Sequence, residues 1–574
     1  AGYIWKLGSD EIHIFLERNL LLVPGPPDRW RMDTVESSNA CGLSRGHLVG
    51  IMGSDPAERK LLDLVVDLRT PEFSKGYGID VVSKLSQKYS PTPSKPVAEG
   101  LRPSTLTQSQ PDSLSKCLSH LMDYDELNED QVSAITKVVQ AKDYALIMGL
   151  PGTGKTTTTS FLIRALHAFR KTILLTAYTH TAVDNVLLKL KEFGIKFLRL
   201  GSHSSVHPDL HQYMIPETTS LEEITDLLSS NCIVATTCLG VSAHFLTNRR
   251  FDYCIVDEAS QVTMPLCLGP LRLCDCFILV GDHKQLPPLV ASDGAKKLGL
   301  EESLFERLSE AHPHAAVCLR FQYRMNREIM SLANHLAYDG ALVCGNEDIA
   351  QRRLHIPRWG EVECSSGAQD VLDHSLGSPC GKWRKGTATC TIPSWMLSVL
   401  CPDHPVVYAC TDRIPAMEER SQEVVQNRVE AELVRQIIEV LLWMGVSESS
   451  IGVISPYRSQ LRLIHELVCS RHPGVEAHTV DKYQGRDKEC IIMSLVRSNP
   501  GEHHGKLLKD VRRLTVGVSR AMHKFIMVGS VTTFAGRAPM STLVDVCQRS
   551  EWIQELPVGA HHNLQDWEFL TPDC

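Results

Sequence analysis

A glycine-rich segment, GLPGTGKTTTT from Gly149 onward, has residue types that bind phosphate groups. Glycines let backbone N–H groups curl around an anion, and the following helix adds positive potential at its first turn. Lys155 would bridge two phosphates of a nucleotide, and the Thr156 hydroxyl would bind Mg²⁺. The residues predicted to contact the nucleotide in this loop are Gly149, Pro151, Gly152, Thr153, Gly154, Lys155, Thr156 and Thr157.

Two neighbouring carboxylates follow an apolar run in the segment YCIVDEAS. Asp257 would hold Mg²⁺ through water, and Glu258 would orient or deprotonate the attacking water. An isolated acid pair at a strand end is more often solvated surface, but together with the phosphate loop it predicts hydrolysis. A nucleotide kinase would have less need for this acid pair, which disfavours that alternative.

Positive charge that reaches the terminal phosphate from a separate domain would couple hydrolysis to domain movement. Arg324 in RFQYRM and Arg520 in VGVSRA are the candidates for this role. A single arginine is more often a surface or ion-pair residue, so this assignment depends on the phosphate loop.

The elements that must position these residues are apolar, β-branched runs alternating with helical patterns, typical of parallel sheets covered by helices on both faces. The first series of runs is YALIMG, TILLTAYT, KFLRLG, NCIVATT, YCIVDEA and FILVGD. The second series is HPVVYACTD, IGVISPY, VEAHTV, ECIIMSLV and KFIMVGS. We therefore predict an α/β protein with two such domains in tandem.

Shifts in composition divide the chain into segments. A stretch rich in proline and polar residues cannot bury enough apolar area to order itself and is predicted to be a linker. The predicted segments are a partial small β-barrel with a helical stalk at 1–87, the linker at 88–116, the first α/β domain at 117–315, the second at 316–550 with an irregular insertion at 345–402, and a tail at 551–574.

Length and composition exclude several classes of protein. A chain of 574 residues exceeds one compact core, and no apolar stretch approaches the ~18 residues of a membrane helix. A net charge of −8 argues against binding nucleic acid by bulk electrostatics. The 19 scattered cysteines indicate reduced thiols of an intracellular protein. The chain opens without methionine in a strand-like pattern, so we expect the natural chain to begin further upstream.

Nine segments follow one another in the order LNEDQ, GLPGTGKT, TAYTHTAVDN, VDEASQ, GDHKQLPP, QYRM, ISPYRSQ, TVDKYQGRDKE and RRLTVGVSRA. In this order they resemble the motifs of superfamily 1 helicases that move 5′ to 3′. The spacers and the N-terminal segments resemble the helicase/nucleases of DNA replication within that superfamily. The resemblance covers residues 1 to about 550 and implies tandem RecA-like P-loop NTPase domains that use ATP and Mg²⁺.

The resemblance also implies roles for single residues of these motifs. Gln131 of LNEDQ would read the adenine, and Gln285 of GDHKQLPP would sense the γ-phosphate. Gly485 and Asp487 of QGRDKE would approach the nucleotide from the far side of the cleft, where Arg324 and Arg520 would act as arginine fingers.

A nucleic-acid strand would lie on strand ends and loops of both domains. Hydroxyl and backbone N–H groups there can bind phosphates without reading bases, and an aromatic ring can stack on a base. The residues predicted to contact the strand are Thr179, His180, Thr237, Pro456, Tyr457 and Thr479.

The resemblance implies a monomeric motor on single-stranded and flapped DNA, working with single-stranded-DNA-binding protein and other replication and repair proteins, without a membrane. It implies residence in the nucleus and also in the mitochondrion. A nuclease domain with a four-iron, four-sulfur cluster would lie upstream, and the cysteines of this chain are not expected to be its ligands. An RNA or RNA–DNA helicase of the nonsense-mediated-decay and senataxin-like group is the alternative. A third hypothesis, a clamp that binds ATP without translocating, is disfavoured by Glu258 and the two arginines.

The last motif, RRLTVGVSRA, departs from the family pattern. Ser519 keeps the hydroxyl, whereas Gly517 weakens a helix by about 0.5 to 1 kcal/mol relative to alanine. We expect lower rigidity there, with activity retained.

Overall fold

The structure is a computed structural model. It describes residues 2–7, 12–16, 40–53, 55–74, 127–216, 221–242, 246, 249–361, 363–364, 381–385, 388–421, 424–499, 501, 505 and 507–562. The predicted linker at 88–116 and the end of the predicted tail lie outside the described residues.

The first large sheet has seven parallel strands, ordered β3-β4-β2-β5-β6-β1-β7. Its strands are β1 (Tyr144–Gly149), β2 (Ile173–Ala177), β3 (Leu198–Arg199), β4 (Ile233–Thr237), β5 (Phe251–Asp257), β6 (Cys274–Gly281) and β7 (Ala316–Leu319). All six apolar runs of the first predicted series form strands of this sheet. Because β7 pairs with β1, the sheet extends four residues beyond the predicted boundary at residue 315.

The second large sheet has six parallel strands, ordered β10-β9-β11-β12-β8-β13. Its strands are β8 (Val406–Cys410), β9 (Ile451–Ile454), β10 (Glu476–His478), β11 (Lys488–Ser494), β12 (Ala521–Gly529) and β13 (Ile553–Glu555). All five runs of the second predicted series form strands here. The strand β13 lies in the segment predicted as a tail, so that part of the prediction is wrong: Ile553–Glu555 completes the second sheet beside β8.

Helices cover both faces of the sheets, as the alternating pattern predicts. In chain order the α-helices of the described residues are α1 (Ala40–Ile51), α2 (Pro56–Val65), α3 (Glu129–Gln140), α4 (Lys155–Ala168), α5 (His180–Glu192), α6 (Leu221–Ser230), α7 (Met264–Leu271), α8 (Asp293–Lys297), α9 (Leu304–Ala311), α10 (Arg327–Ala333), α11 (Glu347–Ala350), α12 (Ser394–Leu400), α13 (Arg428–Trp443), α14 (Arg458–Ile464), α15 (Val480–Tyr483), α16 (Val511–Val518), α17 (Val531–Phe534) and α18 (Met540–Arg549). None of the described helices is long and apolar enough to cross a membrane.

The N-terminal segments include a two-stranded antiparallel hairpin and two helices. Strand Gly2–Leu7 pairs with Ile12–Leu16. Helix α2 begins after Asp55, whose carboxylate accepts a hydrogen bond from the Ala57 N–H. The apolar face of α2 is buried in the same core as β5 and α7, so the predicted stalk helix packs against the first sheet.

The insertion predicted as irregular at 345–402 contains regular elements. Short antiparallel strands lie at Glu363–Cys364, Gly381–Lys385 and Ala388–Ile392. Helix α12 buries Trp395, Met396 and Leu400 in the core of the second sheet. The sequence has no clear period here because α12 is short and apolar on most of its faces, so its pattern does not distinguish a helix from a strand.

Gly517 lies inside α16, where a methyl group would fit without a clash. A Cβ there would meet the Met493 sulfur and terminal carbon at 3.6 Å, an ordinary van der Waals distance. We expect Gly517→Ala to raise the free energy of unfolding by about 0.5 to 1 kcal/mol, because alanine loses less backbone freedom on folding. Denaturant unfolding checks this. Gly152→Ala is the control and should destabilise, since Gly152 has φ +74.

Candidate nucleotide site and strand-binding edge

The phosphate loop joins β1 to α4. Gly152 and Gly154 adopt φ values of +74 and +78, which only glycine reaches without strain. Lys155 begins α4, and its Nζ donates to the Gly149 carbonyl oxygen at 2.9 Å. The loop therefore has the backbone geometry that the sequence predicts for a phosphate cradle.

The remaining loop side chains have defined contacts. The Thr153 hydroxyl donates to the Leu150 carbonyl oxygen at 2.8 Å. The Thr157 hydroxyl accepts a hydrogen bond from Lys189 of α5. Pro151 is buried and Thr156 is half-buried in the first turn of α4. Of the two threonines that begin the TTTT run, Thr157 is thus tied to the neighbouring helix.

A turn that leads into the second domain lies directly on this loop. The Tyr323 N–H donates to the Gly152 carbonyl oxygen at 2.9 Å. A Cβ on Gly152 would lie 2.7 Å from the Arg324 Cβ, so only glycine permits the approach. The buried Gln322 amide fixes this turn, because its oxygen accepts from the Arg324 and Met325 N–H groups at 2.8 and 2.7 Å.

Arg324 lies beside the loop, and Arg520 lies next to Arg324. The Arg324 Nε lies 2.8 Å from an Asp487 carboxylate oxygen, and its Nη1 donates to the Ser519 carbonyl oxygen at 3.1 Å. Arg520 is buried and donates to the Val516 carbonyl oxygen at 3.0 Å. Burial, and then the neighbouring Arg324, lower the pKa of Arg520 to about 9. Asp487 thus pairs with Arg324 and, together with Glu258, also acts electrostatically on Arg520. Two neighbouring guanidinium groups suit a multiply charged anion.

The acid pair lies at the end of β5, as predicted. Asp257 is 4% exposed, and burial followed by repulsion from Glu258 raises its pKa to about 7, while Lys155 acts in the opposite direction. Glu258 adopts the left-handed conformation, with φ +50, which is unusual for a residue other than glycine. The Gln261 amide donates to Glu258 Oε2 at 3.0 Å and orients that carboxylate.

Gln285 takes part in a buried polar contact between the two halves of the protein. Its amide donates to Asp282 Oδ2 at 2.7 Å, and the Tyr338 hydroxyl donates to the same oxygen at 2.7 Å. The Asp282 N–H donates to the Ser260 hydroxyl, two residues after Glu258, at 3.2 Å. Asp282 thus connects the acid-pair turn with the segment after α10. The sequence contains no signal that identifies Tyr338 as its partner.

Gln131 and Gly485 complete the set predicted to surround a nucleotide. Gln131 is buried in a capping box with Asn128, and its amide also donates to the Thr153 carbonyl oxygen at 3.2 Å. It therefore supports the phosphate loop directly. Gly485 has φ +79, and a Cβ there would meet no atom within 4 Å.

The predicted strand contacts of the first domain lie at the carboxyl ends of β2 and β4. Thr179 is exposed and accepts from the Ala182 N–H as the cap of α5. Thr237 is buried, and its hydroxyl accepts from the Gly240 N–H at 3.1 Å. Sequence reasoning missed Tyr178 and Leu239, which are 38% and 37% exposed on the same two strand ends. An exposed aromatic beside a strand-end threonine is the signal that could have found Tyr178.

The predicted strand contacts of the second domain lie after β9 and before α15. Pro456 is buried, whereas Tyr457 is half-buried with its hydroxyl 3.5 Å from Arg497 Nη1. Thr479 is half-buried immediately before α15. Arg497 pairs with Glu418 at 2.7 Å, so the tyrosine hydroxyl lies beside a neutralised arginine.

A phosphate loop on one parallel sheet, with Arg324 against it and a second parallel sheet later in the chain, defines a P-loop NTPase of tandem RecA-like architecture. Models described as "AAA domain" match residues 126–225 and 216–293, and a second AAA domain model matches residues 300–532. Use of a nucleotide follows from this class.

Curated relatives described as helicase/nucleases match nearly the whole chain. The chain is 40% identical over 580 residues to the DNA replication ATP-dependent helicase/nuclease DNA2 of Mus musculus, covering 100% of this chain and 50% of that protein. It is 42% identical over 556 residues to helicase/nuclease JHS1 of Arabidopsis thaliana, covering 95% and 37%. Over nearly its whole length the chain is similar to one portion of these helicase/nucleases. It spans about half the length of the mouse protein.

Lys155→Ala should abolish ATP hydrolysis, because the ammonium group is the only loop side chain that brings a full positive charge to the phosphates. Phosphate release measured at saturating ATP checks this. Lys171→Ala is the matched control, since Lys171 pairs with Asp252 at 2.9 Å away from the loop. Hydrolysis at the wild-type rate in Lys155→Ala would refute the assignment of the loop.

Arg520→Ala should lower the rate of ATP hydrolysis by about 10³ to 10⁵, the range known for arginine fingers. Arg513→Ala is the control on the preceding helix α16, because Arg513 pairs with Asp481 and Asp510 at 3.1 and 2.9 Å. Both rates are measured at saturating ATP. A loss of less than about ten-fold in Arg520→Ala would make Arg520 a structural residue.

Proposed function

We propose that this chain is an ATP-dependent DNA helicase and translocase that moves 5′ to 3′ on single-stranded DNA. It would be the motor part of a helicase/nuclease that processes Okazaki fragments and resects DNA ends. One observation carries the proposal. Arg324 lies against the phosphate loop, and its Nη1 donates to the carbonyl oxygen of Ser519, the residue before Arg520 of the second domain.

The nucleotide would be ATP, held with Mg²⁺ on the phosphate loop. The Thr156 hydroxyl and the buried Asp257 carboxylate are hard oxygen donors, which fit Mg²⁺. When bound, Mg²⁺ neutralises charge on the β- and γ-phosphates. Backbone N–H groups of the loop would hold the phosphates, Lys155 would bridge them, and Gln131 would read the adenine.

Glu258 would be the general base for the attacking water. The Gln261 amide orients its carboxylate, and its backbone is left-handed. Glu258 directly follows Asp257 in the chain. Gln285 would report the γ-phosphate through its bond to Asp282, and Tyr338 would carry that contact into the second domain. Hydrolysis would thereby loosen contacts that hold the two domains together.

Arg324 and Arg520 would act as fingers on the γ-phosphate, and closing and opening of the cleft would move the strand. The strand would cross the β2 and β4 ends and the segments before α14 and α15. The residues proposed to contact the strand are Thr179, His180, Thr237, Pro456, Tyr457 and Thr479, together with Tyr178 as a base-stacking platform. Such contacts bind the backbone without reading sequence.

The proposals for substrate, partner, location and oligomeric state rest on the similarity to the helicase/nucleases. We propose that single-stranded and flapped DNA are the substrates, and that single-stranded-DNA-binding protein assists. We propose residence in the nucleus and the mitochondrion, and a monomeric state. The nuclease activity and its four-iron, four-sulfur cluster would belong to other parts of such proteins. Relatives described as DNA helicase/nucleases disfavour the RNA or RNA–DNA helicase alternative.

Unwinding assays test the proposal. The protein should displace a labelled strand from a DNA duplex with a 5′ single-stranded tail and leave a 3′-tailed duplex intact. Glu258→Gln should bind ATP as tightly as wild type but hydrolyse it about 10² to 10⁴ times more slowly, because the base is lost. It should not unwind. Unwinding from the 3′ tail, or a preference for RNA, would contradict the proposal.

A further inference from the structure

A fully buried arginine lies behind the strand-binding edge of the first domain. Arg199 on β3 is 0% exposed. Its Nε pairs with Asp184 Oδ1 at 2.8 Å, its Nη1 donates to the Leu200 carbonyl oxygen at 2.7 Å, and its Nη2 lies 3.1 Å from His180 Nδ1. The second Asp184 oxygen accepts from the His207 N–H at 3.0 Å. Contacts on three of its nitrogens therefore fix the guanidinium.

This contact assigns the proton on His180. A guanidinium group only donates hydrogen bonds, so Nδ1 must accept and the ring proton lies on Nε2. A second proton would have to sit on Nδ1 and face a cation. Burial, and then Arg199, lower the pKa of His180, while Asp184 acts in the opposite direction. Arg199 from β3 and Asp184 from α5 are the charged groups that act on the ring.

The free side of the ring lies at the proposed DNA edge. His180 is the first residue of α5, directly after the cap residue Thr179, and it is half-buried. Within the described part of the chain, no atom accepts a hydrogen bond from its Nε2. The first turn of a helix also leaves backbone N–H groups without intrahelical partners. A phosphate oxygen of a strand is an acceptor that fits both donors.

We infer that Arg199 is a positioning residue that holds His180 as a neutral Nε2–H donor to a phosphate of the single strand. This inference rests on the proposed function and deepens it. A neutral donor releases no counterion when it binds phosphate, whereas an imidazolium would make the grip salt-dependent. The contact between His180 and a phosphate should therefore keep the same strength over the pH range in which an ordinary histidine would gain a charge.

Strand binding measured without nucleotide tests the inference. Labelled oligothymidylate is titrated with wild type and with His180→Ala between about pH 5 and 8, the range in which histidines titrate. We expect His180→Ala to weaken binding by about two- to ten-fold at every pH, since one neutral hydrogen bond is lost. We also expect equal salt dependence for the two proteins. His180→Gln keeps a neutral N–H donor and should bind more tightly than His180→Ala at every pH.

Arg199→Met distinguishes a positioning role of Arg199 from a merely structural one. With the cation removed, His180 should titrate, so binding should tighten several-fold as the pH falls through about 6.5. The double variant Arg199→Met/His180→Ala should lose that tightening. If circular dichroism shows that Arg199→Met is unfolded, the comparison of wild type with His180→Ala decides.

The other outcomes overturn the inference. A deficit of His180→Ala that grows at acid pH would show that His180 becomes charged. Equal binding by wild type and His180→Ala would show that His180 does not touch the strand, while strand binding by wild type would leave the proposed function intact. If wild type does not bind the oligonucleotide at all, the proposed function and the inference both fail.

Discussion

The rest of the site depends on the close approach of one backbone turn to one glycine. The Tyr323 N–H binds the Gly152 carbonyl, and the Arg324 Cβ occupies space that any side chain at Gly152 would fill. The same glycine has a positive φ, so two independent constraints exclude other residues. The phosphate cradle is thereby built from one domain and closed by the next.

Polar contacts farther from the loop secure the same closure. Asp282 accepts from Tyr338, Lys284 donates to the Ala337 carbonyl oxygen at 2.8 Å, and Arg512 pairs with Glu306 at 2.6 Å. A hydrogen bond to a charged group contributes about 1.5 to 3 kcal/mol. A few such bonds hold the domains together but can be broken by the free energy of nucleotide binding and hydrolysis.

The sequence predicts the sheets and the phosphate loop well, because both depend on local patterns. The apolar runs of six to nine residues each contain a strand, and glycine spacing defines the loop. It fails where an element is short and held by distant partners, as for β13 and α12. Side-chain partners such as Tyr338 for Asp282 are set by packing between distant segments, which no local pattern contains. The motif order brings Asp487 to the cleft but does not indicate its ion pair with Arg324.

If Arg324 contacts the γ-phosphate as proposed, that ion pair makes the arrival of ATP an anion exchange. Arg324 is already neutralised by Asp487 at 2.8 Å, so a γ-phosphate must replace a carboxylate to engage the arginine. ADP has no group that could do so and leaves the pair intact. After the γ-phosphate leaves, Asp487 would pair with Arg324 again. No unpaired arginine would then hold ADP, and the cleft would return to its state before ATP binding.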